Sequence, residues 1–235
     1  MLQASKSSST PASSASPLQV VERACPARLS PLETWLQVGL VYALIEAALW
    51  TPVGRPNTFC ILAAVAGILI CTRSAPFSAR EMGIAVPSAP AVGWIVFGGI
   101  LLAAAIPLLS RMLGDNLGPA HRLPLRQACL YAVWALAQQF VLQSFFYVRL
   151  ESLLSGRWPV LLTALMFSVS HIPNYVLTFS SFAAALFFCE MFRRYRNLFV
   201  LGAVHAGLGV LMAANFSDSV MHHMRVGIGF LRFHP

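Results

Sequence analysis

Apolar runs broken by short polar, Pro- and Gly-containing stretches recur along the chain from about residue 34 to about residue 214. An α-helix rises about 1.5 Å per residue, so about 20 apolar residues cross the hydrocarbon of a bilayer. The pattern predicts helical spans at 34–50, 57–72, 93–110, 127–148, 158–177, 181–192 and 198–214. Pro52, Gly54 and Pro56 close the first, and Pro173 with Asn174 distorts or ends regular helix within the fifth. Some runs are short enough to be tilted, partial or re-entrant, so the expected architecture is an all-α polytopic transmembrane bundle of about seven spans, six to eight allowed. Residues 1–30, rich in Ser, Ala and Pro, hold no apolar block; they read as a disordered tail rather than a secretory signal. The transmembrane domain follows at 31–215, and 216–235 is a polar C-terminal tail.

Composition agrees with that pattern. The chain is 57% hydrophobic and 10% charged, with a mean hydropathy of +0.70, too little polar surface to cover a soluble core of 235 residues. The net charge of +8 lies mostly between the apolar runs, which suits loops at anionic lipid headgroups and excludes nucleic acid as the expected partner. With seven spans, more Lys and Arg fall on the side of the N-terminal tail than on the other, which places that tail in the cytoplasm. Cys25, Cys60, Cys71, Cys129 and Cys189 are scattered and read as free buried thiols. They form neither a disulfide framework nor a metal-ligand spacing, so no metal and no cofactor are expected.

Against this apolar background the polar groups at membrane depth are few: Glu46, Gln138, Gln139, Gln143, His171, Asn174, Glu190 and His205. Such groups are costly in hydrocarbon and face the bundle interior and one another. Gln139 and Gln143 share a helix face, as do Phe167 and His171, while Gln138 points roughly 100° away from Gln139. Gly202, Gly207 and Gly209 let the helix of His205 approach a neighbour closely. Glu190 precedes Arg193 and Arg194 by one turn and is expected to form a helix-end ion pair. His222, His223 and His234 are assigned no specific role, and 224–233 reads as an interfacial basic segment.

The order and spacing of these groups over about 126–215 resemble the CAAX prenyl protease and bacteriocin-processing (CPBP) family of intramembrane proteases. That family carries EExxxR on one helix, FxxxH on the next and HxxxN near the end. Phe167 to His171 matches the second motif and His205 stands at the third, but Gln138 and Gln139 replace the Glu pair, Gln143 the Arg, and Gly209 the Asn. The resemblance implies a site built from Gln138, Gln139, His171 and His205, supported by Phe167, Gln143 and Asn174; Glu46, outside the resembling stretch, is a further supporting candidate as a carboxylate within an apolar run. It implies an intramembrane endopeptidase homologue that acts on or binds a membrane-embedded or lipid-modified peptide among membrane lipids. In the family a glutamate activates water; a Gln amide takes no proton near neutral pH, and lost general-base catalysis removes about 10²–10⁴-fold in rate. Two other functions fit the same polar centre, a non-catalytic pseudoprotease that scaffolds a membrane partner and a small transporter.

Overall fold

The computed structural model describes residues 29–233 other than 76, 85 and 116–123, so most of the predicted tail, Cys25 and His234 lie outside the described residues. Every regular element among them is helical. α1 (Pro31–Trp50) opens with a capping box: the Ser30 hydroxyl accepts from the Glu33 N–H, and the Glu33 carboxylate accepts from the Ser30 N–H at 2.8 Å. α2 (Arg55–Ser74) folds back against α1 as a hairpin. α3 (Ala89–Met112) crosses to α7 and α8 through Gly98 and Gly99. A Cβ added at Gly98 would meet Phe187 at 2.2 Å, and one at Gly99 would meet Val204 at 2.6 Å, so only glycine permits this approach.

α4 (Leu125–Gln139) runs through a π-helical segment (Phe140–Tyr147) into α5 (Val148–Leu153), giving one continuous 29-residue membrane helix, Leu125–Leu153. α6 (Trp158–Val169) is short and packs along α7 (Tyr175–Tyr195). α8 (Leu198–Asn215) fills the centre, with Gly202 seated against Leu136 of α4. α9 (Asp218–Met221) and α10 (Gly227–Leu231) follow, and α10 docks on α1.

Six helices are long and apolar enough to cross a membrane and α6 is a shorter apolar one, so the chain is a multi-pass membrane protein of the expected size. The expected fifth run stops at Val169 rather than at 177. The Asn174 side chain caps a new helix there, accepting from the Leu177 N–H at 3.2 Å, so 175–177 belong to α7. Ser180 and Ser181, which look like a break in the sequence, sit inside α7, and the Ser181 hydroxyl donates to the Thr178 carbonyl at 3.0 Å.

Two apolar clusters hold the bundle. The larger joins α3, the π-helical segment, α6, α7 and α8 around Phe188, Phe192 and Leu201; the smaller joins α1 and α2 to Phe145, Phe146 and Leu150. Arg149 fastens the second. Only 1% exposed, it donates to Gln37 Oε1 at 2.9 Å, the Cys71 carbonyl at 2.8 Å and the Phe145 carbonyl at 3.1 Å, and it lies over the Phe145 ring. The cysteines depart from their expected burial: Cys189 is buried, Cys60 and Cys71 are half-buried, and Cys129 faces outward from α4. Glu190 forms the expected pairs with Arg193 and Arg194.

Candidate functional site

A cavity of about 900 Å³ lies within the bundle, walled by apolar side chains of α1, α2, α3, α4, α6, α7 and α8. Its few polar groups are Tyr42, Tyr131, Gln138, Ser170, His171, Ser180, Ser181 and His205. Pockets of this size and polarity accommodate a ligand rather than a stray water.

α4 supplies Gln138 to the cavity wall and Gln139 beside it. Gln139 is fully buried, and its Nε2 lies 3.2 Å from His205 Nδ1 on α8. When the amide nitrogen donates, His205 Nδ1 accepts and the imidazole carries its proton on Nε2; with the amide turned over, its otherwise unpartnered Oε1 accepts from the Nδ1–H instead. The end of α6 supplies His171. Its Nδ1 lies 2.6 Å from the Phe167 carbonyl, one turn back, and a carbonyl only accepts. His171 is therefore protonated on Nδ1, which leaves the Nε2 lone pair free. Each imidazole thus has its Nδ1 engaged within the protein, His171 by a backbone carbonyl and His205 by the Gln139 amide. Phe167 keeps them in register, its ring edge-on to both, with centroids 4.7 Å from His171 and 6.0 Å from His205.

Glu46 also arrives at this centre. On α1 it accepts from the Ser170 hydroxyl at 2.6 Å, immediately before His171. Two expected supporting residues are placed elsewhere. Gln143 is fully buried beneath the cavity, where its amide nitrogen meets only the Cys189 sulfur at 3.7 Å. Asn174 caps α7 and holds the C-terminal segment, donating to the Met221 carbonyl at 2.9 Å.

Gln139 Oε1, just before the stretch where α4 widens into π turns, and Gln143 Oε1, in the middle of that stretch, are among the buried side-chain oxygens without a hydrogen-bond partner. π-helical turns recur at functional sites. Gly209, where the resembling family keeps Asn, has its side-chain space taken by Tyr131: a Cβ there would lie 2.0 Å from the tyrosine oxygen. Among the described residues no three His, Cys, Asp or Glu side chains gather as a metal-ligand set.

Sequence reasoning passed over Tyr42, Ser170 and Tyr131. Helical spacing carried the signal for two of them: Tyr42 stands one turn before Glu46, and Tyr131 two turns before Gln138. Ser170 had no comparable mark beyond its place next to His171.

No curated protein and no solved structure proves similar to the chain. A family model described as Type II CAAX prenyl endopeptidase Rce1-like matches residues 122–211. That segment, which carries Gln138, Gln139, His171 and His205, is similar to the Rce1-like family.

Proposed function

We propose that this membrane protein binds a membrane-embedded or lipid-modified peptide in the 900 Å³ cavity and hydrolyses it with His171 as the base, where the resembling family uses glutamate. The observation that carries this reading is the meeting of His171 and His205 at one cavity, each with its Nδ1 engaged within the protein. His171 Nε2 can take a proton from water, and His205 Nε2–H can donate to the oxyanion that forms on the attacked carbonyl. Gln139 Nε2 donates to His205 Nδ1, a bond that an ionised carboxylate could not make, and Gln138 offers its amide to the peptide backbone. The apolar walls suit an aliphatic or prenyl group and a peptide without charged side chains. The N-terminal tail lies on the cytoplasmic side by the distribution of Lys and Arg.

The test uses purified protein in detergent with a fluorogenic prenylated CAAX peptide, reading binding by photocrosslinking and cleavage by fluorescence. His171→Ala is expected to lower cleavage by at least about 10²-fold while crosslinking persists. A second reading, a scaffold that holds a membrane partner without cutting it, is favoured by the glutamines at the family's glutamate positions. It predicts crosslinking without cleavage in the natural protein, and cleavage gained on Gln139→Glu. Absence of both crosslinking and cleavage overturns both readings.

A further inference from the structure

Among the described residues, one carboxylate stands behind the cavity wall, hydrogen-bonded to the lining residue Ser170, and it comes from outside the segment that matches the family. Glu46 stands in the last turns of α1, one of the helices long and apolar enough to cross a membrane. Its Oε1 accepts from Ser170 Oγ at 2.6 Å and its Oε2 from Trp50 Nε1 at 3.3 Å. Tyr42, one turn earlier, lies against both Ser170 and Glu46 and donates to the Met166 carbonyl.

The other described carboxylates are engaged elsewhere, and none lines this cavity. Glu151 pairs with Arg196, Glu190 with Arg193 and Arg194, and Asp218 with His223. Asp115 accepts from the Ser217 N–H, and Glu33 and Glu81 close local turns with Ser30 and Ser78. Glu46 is held by hydroxyl and indole donors rather than by a guanidinium, and Ser170, its closest partner, lines the cavity beside His171. An isolated carboxylate in hydrocarbon is expensive, so a carboxylate kept there faces a charge that forms during function or a proton that moves.

We infer that Glu46 is the positioning carboxylate of this site, acting on the cavity through Ser170 and His171. This rests on the hydrolytic reading above. In that reaction the water oxygen bonds to the scissile carbonyl carbon while one water proton passes to His171 Nε2. The same proton leaves with the amine nitrogen as the C–N bond breaks. Between these events His171 is an imidazolium in a medium of low dielectric, where an unbalanced charge raises the barrier. The carboxylate of Glu46, one hydrogen bond behind Ser170, supplies the balancing charge through space, while the Phe167 carbonyl orients the ring. A segment outside the family match thus supplies a charge that Gln138 and Gln139 lack.

Glu46→Gln keeps the size of the side chain and an acceptor for the Ser170 hydroxyl, so it removes charge with little else. With the prenylated CAAX peptide, kcat is expected to fall on the order of 10²-fold with KM and crosslinking unchanged. Glu46→Asp is expected to recover part of the loss. A Glu46→Gln protein that cleaves at the natural rate overturns the inference, and it leaves the hydrolytic reading standing if His171→Ala still abolishes cleavage. A loss of crosslinking in Glu46→Gln that Glu46→Asp does not restore also overturns it, because the residue would then be structural. Natural protein that crosslinks the peptide but cleaves none, under conditions where Gln139→Glu does, overturns it together with the hydrolytic reading.

Discussion

The two halves of the bundle are buried to different degrees. In α1, α2 and α3 only 17%, 11% and 17% of the most apolar stretch is buried within the protein, against 39%, 33% and 39% in the Leu125–Leu153 helix, α7 and α8. The second half is the one that matches the Rce1-like family, and it alone carries the two imidazoles and the glutamines. Packing among its helices is close enough that Gly202 and Gly209 admit no larger residue without movement of Leu136 or Tyr131. The outer hairpin of α1 and α2 presents most of its side chains outward, as a helix in lipid can, because lipid tails are as apolar as leucine. Yet this half delivers Glu46 and Tyr42 to the centre. High burial identifies the scaffold that fixes geometry, whereas a lightly buried helix still contributes chemistry through one polar face.

The strongest way to break that division is to cut the tie that Arg149 makes to the outer hairpin of α1 and α2. Arg149 hands one hydrogen bond to α1 through Gln37 and one to α2 through the Cys71 carbonyl. Hydrogen bonds to a charged group contribute about 1.5–3 kcal/mol each. Arg149→Ala is therefore expected to cost on the order of 3 kcal/mol or more, read as a lowered unfolding midpoint in detergent micelles. Proteolytic nicking between α2 and α3 should rise while the α4–α8 half stays resistant. Uniform loss of resistance across the chain would show that the two halves do not separate, and a change under about 1 kcal/mol would show that apolar packing alone holds the hairpin.

The contrast also explains what the sequence made legible. Apolar runs located the long helices because a span has to be apolar wherever it meets lipid. The ion pair of Glu190 was readable because its partners stand three and four residues away on one helix face. The meeting of Gln139 with His205 was anticipated from resemblance, since their 66-residue separation carries no local signal. Glu46 was visible as an acid in an apolar run, but its distance of 124 residues from Ser170 left its partner to the fold. The π turns of Phe140–Tyr147 had no mark in composition, and they decide that Gln143 points at Cys189 rather than into the cavity. Gly209 read only as a missing Asn, because nothing in one sequence says that a tyrosine 78 positions earlier fills its place.

That last pairing gives a test inside the well-packed half. Gly209→Ala places a methyl group 2.0 Å from the Tyr131 oxygen, and overpacking of this kind costs about 1–3 kcal/mol. Adding Tyr131→Ala is expected to return part of that cost, so the two substitutions together should destabilise less than the sum of each alone, as a double-mutant cycle in unfolding would measure. Additive effects would mean that the helices slide to make room, and the close packing attributed to this half would then be softer than its burial implies.

The smallest effect separates packing from chemistry at Gln143. Its Oε1 is buried without a partner and its Nε2 meets only a thiol, a weak acceptor. An unmade hydrogen bond of a buried amide costs about 1–3 kcal/mol, while an apolar group of the same shape costs nothing of that kind. Gln143→Met is therefore expected to raise stability by about 1 kcal/mol and to leave peptide crosslinking unchanged. A destabilised Gln143→Met protein would mean that the carbonyl is satisfied in the membrane by a bound water or by the peptide. The glutamine would then belong with Gln138 and Gln139 to the cavity, and the line between scaffold and site would pass below the π turns rather than above them.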